Sequence, residues 1–137
     1  MKNLNIIAAA LASTVAFTSP VFAEWTWVSE SEGGTFYIDF HTVKENNGYV
    51  YFWDLSDYLK PSPQGNLSAK SLNELDCDIP RKFRPLSYVF YKQPMASGSV
   101  NSNSNDASEW IYPSPDSVGE AKIDVVCGLI EYLKGDN

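Results

Sequence analysis

The amino-acid sequence predicts an α+β domain in which antiparallel strands come first and a single helix comes last. Three observations carry that prediction. From Trp25 to Tyr112 most apolar runs alternate with a period of two, and turn residues separate them. After Ser117 the period becomes that of a helix and stays so to the C-terminus. The two cysteines, Cys77 and Cys127, fall on either side of that change. Strand-like and helix-like segments do not alternate, so a βαβ arrangement is set aside.

The strands follow in order. Glu24-Trp-Thr-Trp-Val-Ser opens with aromatic and β-branched residues and reads as a strand. Glu30-Ser-Glu-Gly-Gly is a turn, with Gly33 and Gly34 free to adopt positive φ. In Thr35-Phe-Tyr-Ile-Asp-Phe, alternation puts Phe36, Ile38 and Phe40 on one face and Tyr37 and Asp39 on the other. Asn47-Gly48 is a hairpin signal. The next strand sets Tyr49, Tyr51 and Trp53 against Val50 and Phe52. Both of its faces are bulky, so it should be central and at least partly covered on both sides.

Beyond this hairpin the pattern weakens. Asp57 to Asn66, with Pro61, Pro63 and Gly65, reads as a loop. Leu67 to Asp78 fits neither period well; a polar edge strand is expected over a short helix. Lys82 to Tyr91 is strand-like after Pro85. Residues 96–108 are a polar, low-complexity stretch, expected as a mobile loop, and Trp110-Ile-Tyr112 as the last short strand. The core is expected to contain Phe36, Ile38, Phe52 and Trp110.

Ser117-Val-Gly-Glu120 is a capping box, in which the serine hydroxyl accepts from the Glu120 amide and the carboxylate reaches back. Val118, Val125, Leu129 and Leu133, with Ala121, Val126 and Ile130 beside them, form the expected apolar stripe, and Gly135 suits a C-terminal cap.

Residues 1–23 read as a signal peptide and are excluded from the fold. Lys2 supplies the positive n-region, Ile6 to Phe17 the apolar run, and Val21-Phe-Ala23 the cleavage site. The run is too short for a membrane span. No cysteine lies at or just after the cut, so no lipid anchor is expected. The mature domain is then Glu24 to Asn137, periplasmic or secreted to the cell surface. In an exported chain an even cysteine count reads as a bridge, and Cys77 and Cys127 allow one connectivity, stapling helix to sheet.

Composition narrows the chemistry. The chain has 137 residues, with ten Lys plus Arg, 17 Asp plus Glu and one His. A net charge of -7 argues against nucleic acid, whose affinity comes from clustered cations. One His and two Cys leave too few soft ligands for a zinc site, and neither metal nor cofactor is expected. Any histidine-based mechanism must pass through His41, which reads as a strand-end surface residue. Asp54 with Asp57, and Asp76 with Asp78, are close pairs of the kind used in glycoside hydrolysis or calcium binding. The calcium-loop pattern is missing, and in so acidic a chain such pairs read as solvated loop charges. Asn66-Leu-Ser68 matches a glycosylation acceptor. The aromatics are the remaining signal: some fill the core, and Tyr37, Tyr49 and Tyr51 are the candidate partner-binding surface.

Taken in this order, the mature chain resembles the surface-adhesin protein E family of Gram-negative bacteria. The resemblance rests on Trp27-Val-Ser, Phe36-Tyr-Ile-Asp39, Thr42-Val43 and Tyr51-Phe-Trp53-Asp-Leu-Ser-Asp-Tyr58. It continues through Ser68-Ala-Lys-Ser to Cys77 and Arg84, then Trp110-Ile-Tyr-Pro and Pro115-Asp-Ser117-Val-Gly-Glu leading to Cys127. It implies one antiparallel sheet of about six strands with a C-terminal helix tethered across it by the Cys77–Cys127 disulfide. It also implies binding to host matrix or serum proteins, and a homodimer. One departure is visible: the family's namesake is lipid-anchored, and this chain has no cysteine at the proposed cut. The expected function is a non-enzymatic, adhesin-like protein that recognises protein partners. The alternative is a carbohydrate-binding module or weak glycan hydrolase using exposed aromatics and the paired aspartates.

Overall fold

In the computed structural model, which describes residues 23–136, six antiparallel strands follow one another as neighbours in a single sheet. The strands are β1 (Thr26–Ser31), β2 (Gly34–Asn46), β3 (Tyr49–Tyr58), β4 (Ser68–Asp76), β5 (Lys82–Tyr91) and β6 (Val100–Ser104). One helix, α1 (Val118–Gly135), completes the chain. The expected signal peptide lies, Ala23 apart, outside the described residues. Among the described residues no helix is long and apolar enough to cross a membrane.

The β2–β3 hairpin turns where the sequence signals it. Asn47 and Gly48 take φ of 52° and 82°, the left-handed pair that a two-residue hairpin turn requires. Pairing of Ile38 with Asp54 and of Val50 with Leu75 then puts Ile38, Val50, Phe52 and Leu75 on one face. That face meets Ile123, Val126 and Cys127 of α1, and together these residues form the buried core. Burial of each large apolar side chain contributes about 1.5–3 kcal/mol.

The helix begins as the capping box predicts. Glu120 N donates to Ser117 Oγ over 3.1 Å, and the Glu120 carboxylate reaches back to Asp116 N, also 3.1 Å. Gly135 is the last helical residue rather than the cap, which is Asp136. The first turn sits against Phe83 of β5 and the last reaches Glu45 of β2 through Lys134, so α1 crosses the sheet. Cys77, just past β4, is bonded to Cys127 with their Cα atoms 5.7 Å apart.

Several expectations are corrected. The inward face of α1 is Ile123, Val126, Cys127 and Ile130, whereas Val125 and Leu133 are 40% and 53% exposed. The disulfide accounts for this: with Cys127 turned to the sheet, its neighbours one turn away follow it inward. The segment expected as an edge strand is β4, which lies between β3 and β5. Its polar residues tolerate that position because they have partners. Ser71 hydroxyl donates to Asp54, Asn73 Nδ2 donates to Ser71 O over 3.3 Å, and Tyr51 hydroxyl donates to Glu74 over 2.7 Å.

The polar stretch 96–108 is not simply a loop: it contains β6, while Trp110-Ile-Tyr112 makes only an isolated bridge from Ile111 to Phe83. Hydrogen bonding replaces apolar burial in holding it. Asn101 Nδ2 donates to Asn66 Oδ1 over 2.7 Å, and the Ala96 amide donates to Ser68 Oγ over 2.8 Å. Asn66 is itself buried, which removes it as an accessible glycosylation acceptor in the folded chain. Trp110 leaves the expected core as well, and Phe36 is only partly buried.

Candidate functional site

The sheet has a second face, opposite α1, and alternation places Tyr37, Tyr49, Tyr51 and Trp53 on it. All four are partly exposed. Tyr37 lies across from Trp27 of β1, which is 56% exposed. Tyr49 stacks on Trp110, with ring centroids 5.7 Å apart. Trp110 is also approached by two cations from β5: the Arg84 guanidinium lies 4.5 Å and Lys82 Nζ 4.7 Å from its centroid. Such contacts hold an indole in place without burying it.

A polar network fixes the same region. Glu74, 8% exposed, accepts from Tyr51 Oη over 2.7 Å and from Arg84 Nε over 2.9 Å. The hydrogen bond to Glu74 raises the Tyr51 pKa above its ordinary 10.0, with burial and the negative charge of Glu74 adding to the effect. Further along, Lys70 Nζ lies 6.0 Å from the Trp53 ring centroid and 5.5 Å from that of Tyr91. The face is therefore a pre-arranged lattice of rings and cations, not a set of loose tyrosines. Sequence reasoning singled out Tyr37, Tyr49 and Tyr51 as candidates and did not group Trp53, Trp110, Glu74, Arg84 and the lysines with them. The available signal was register: residues on β3, β4 and β5 meet across strands, and β4 had to be central first.

Beside Tyr51 and Trp53 the ladder is interrupted. On β2, Phe40 to Val43 stand between Asp39, paired with Trp53, and Lys44, paired with Tyr51; on β3 only Phe52 stands between those partners. This wide bulge sorts its side chains by polarity: Phe40 and Val43 pack on the core, and His41 is exposed. Hydrogen bonds hold it. Thr42 Oγ1 donates to Asp39 O over 2.6 Å and accepts from Trp53 N over 2.9 Å, while His41 N donates to Asp39 Oδ1 over 3.1 Å. The result is a hollow of about 270 Å³ lined by His41, Thr42, Lys44, Tyr51, Trp53 and Leu72. His41 is thus within β2 rather than at its end, and its Nε2 lies 2.7 Å from Glu24 Oε2.

The paired aspartates do not converge. Asp54 faces the helix, where Lys122 and Ser71 hold it; Asp57 is on the opposite face and accepts from Met95 N over 2.7 Å. An odd spacing along a strand always separates side chains in this way, so the pair is no hydrolytic site. Asp76 accepts from the Asp78 amide over 2.9 Å in a local turn. Among the described residues, no group of three or more His, Cys, Asp or Glu is placed to hold a metal ion.

These features define a class: a one-sheet α+β domain, stapled to its helix by a disulfide, whose other sheet face is free of the helix and covered by residues 94–96 at one end. Within it, the chain belongs to the surface-adhesin protein E family, whose model matches residues 25–128. Among solved structures, crystal form II of Haemophilus influenzae protein E is similar, with a TM-score of 0.60 at 16% identity, covering 79% of this chain and 90% of that one. Another structure of Haemophilus influenzae protein E gives 0.59 at 16% identity, covering 79% and 86%. Protein E from non-typeable Haemophilus influenzae gives 0.55 at 16% identity, covering 80% of each chain. Likeness at this identity concerns the fold. No curated protein sequence matches the chain.

Proposed function

We propose that this chain is an exported, non-enzymatic adhesin domain that engages a protein partner through its open sheet face. The observation that carries the reading is the row of partly exposed rings, Tyr37, Tyr49, Tyr51, Trp53 and Trp110, held by cross-strand contacts on the face that α1 leaves free. Tyrosine and tryptophan held rigidly supply large contact areas with little further loss of side-chain freedom on binding. Family membership and the signal-like N-terminus support export to the envelope or surface. The scattering of His41, Asp54 and Asp57 supports binding over catalysis.

The test is capture of the purified exported protein on a panel of extracellular-matrix and serum proteins, followed by affinity measurement on those that retain it. A Tyr49→Ala/Trp110→Ala variant should bind at least 10-fold more weakly while keeping its circular dichroism spectrum. Val125→Ser, on the outer side of α1, should bind like the wild type. Retention by no panel member, or equal binding by the open-face variant, overturns the reading.

A further inference from the structure

We infer that the bulge hollow between β2 and β3 binds a carboxylate-bearing sugar residue of an acidic glycan. This goes beyond the protein-binding reading and does not depend on it, although the two share a face.

Charge gives the first argument. On the helix side the cations are neutralised: Lys122 pairs with Asp54 at 2.6 Å, Lys134 with Glu45 at 2.9 Å, and Arg81 with Asp124 at 3.2 Å. On the open face Arg84 is paired with Glu74 at 2.9 Å, but Lys44, Lys70 and Lys82 make no ion pair with a carboxylate among the described residues, although acids outnumber cations in the chain by 17 to ten. An ammonium group with no carboxylate partner attracts anions to its own neighbourhood even on an acidic protein. Lys44 brings that attraction into the hollow itself.

Shape and chemistry give the second. A space of about 270 Å³ suits one sugar residue and is small for a cofactor. Tyr51 and Trp53, two positions apart on β3, offer ring surface for the C–H face of a pyranose, with Leu72 closing the apolar side. Tyr51 Oη donates to Glu74 and keeps a lone pair for a sugar hydroxyl. At the rim, the exposed His41–Glu24 pair supplies donor and acceptor groups together. Lys44 is left to meet the carboxylate. An acidic peptide side chain would use Lys44 and leave the ring floor unused. The hollow is built rather than incidental, because Asp39 and Thr42 clamp the bulge by hydrogen bonds to its backbone.

The experiment is a ¹⁵N NMR and calorimetric titration of the exported protein with a hexasaccharide of alternating glucuronic acid and N-acetylglucosamine. The neutral N-acetylglucosamine hexamer and hexaglutamate serve as comparison probes. The acidic hexasaccharide should bind, shift Lys44 and the Trp53 indole, and weaken as salt is raised. The neutral hexamer should bind at least 10-fold more weakly. Lys44→Met should lose at least 10-fold, Lys44→Arg should retain most affinity, and Trp53→Leu should weaken binding without removing its salt dependence. Retention of a matrix protein by Lys44→Met would separate this site from the protein-binding reading. The inference is overturned if the acidic hexasaccharide does not bind, or if the neutral hexamer binds equally. It is also overturned if Lys44→Met is without effect, or if hexaglutamate binds as tightly at the same residues.

Discussion

Lys122 on the helix reaches Asp54 in the middle of the sheet, Nζ to Oδ2 2.6 Å, with the two side chains 13% and 3% exposed. The pair ties α1 to β3 through charge at a point where Ser71 also donates to the carboxylate. It stands well inside the fold, so its fate on mutation differs from that of a surface pair.

Removing one partner should be severe. Lys122→Ala leaves Asp54 buried with only Ser71 beside it, and should destabilise the domain by about 3–5 kcal/mol. Lys122→Met with Asp54→Asn should lose much less than the two single changes combined, because no uncompensated charge remains. Urea unfolding of the wild type, Lys122→Met, Asp54→Asn and the double variant reads this directly; additive losses would show that the pair is not coupled.

The disulfide closes a sequence separation of 50 residues and joins sheet to helix. In the chain-entropy treatment a loop of that size contributes about 4 kcal/mol. Cys77→Ala/Cys127→Ala should lower stability by about that amount and shift the unfolding midpoint to lower urea. Unchanged stability would mean that the core residues around Cys127 hold α1 alone.

Alkaline pH should weaken the fold. Tyr51 is raised by its bond to Glu74, and Tyr58 and Tyr88 are raised first by burial and then by the nearby charge of Asp54. Their folded values lie above those of the unfolded chain, so their contribution is complete below about pH 10 and is lost as pH rises through the higher folded values. Melting temperature measured from pH 8 to 12 should fall above about pH 10. Tyr51→Phe should fall less steeply, while losing about 1 kcal/mol at neutral pH with the hydrogen bond.

Two glycines with positive φ, 157° at Gly34 and 82° at Gly48, differ in what a side chain would meet. A Cβ on Gly34 would lie 2.2 Å from the Asp57 carbonyl oxygen, whereas one on Gly48, with φ of 82°, would meet nothing within 4 Å. Gly48→Ala should therefore lose only about 1 kcal/mol through its left-handed conformation. Gly34→Ala should lose more, about 1–3 kcal/mol or beyond, since β2 and β3 must separate. Equal losses in thermal unfolding would remove the close approach as a cause.

Local chemistry was readable from the residues themselves. Alternation from Phe36 to Phe40, the Asn47-Gly48 turn, the Ser117 to Glu120 box and the two cysteines each specify their structure through neighbours a few positions away. They sufficed for the α+β class, the central β2–β3 hairpin and the bridge that joins Cys77 to Cys127. What they could not decide was any property that arises between strands. β4 became central because Ser71 and Glu74 find partners on β3 and β5 while Asn73 bonds back to Ser71 within the strand, and β6 formed because Asn66 and Ser68 anchor a polar stretch. Trp110 left the core because Tyr49, Lys82 and Arg84 hold it on the open face. The hollow depends on the mismatch of Phe40 to Val43 against Phe52, which neither strand carries alone. Sequence periodicity thus set which face of each segment is apolar, and only the tertiary register decided which polar groups meet, because hydrogen bonds and cation–π contacts depend on distances between segments remote in the chain.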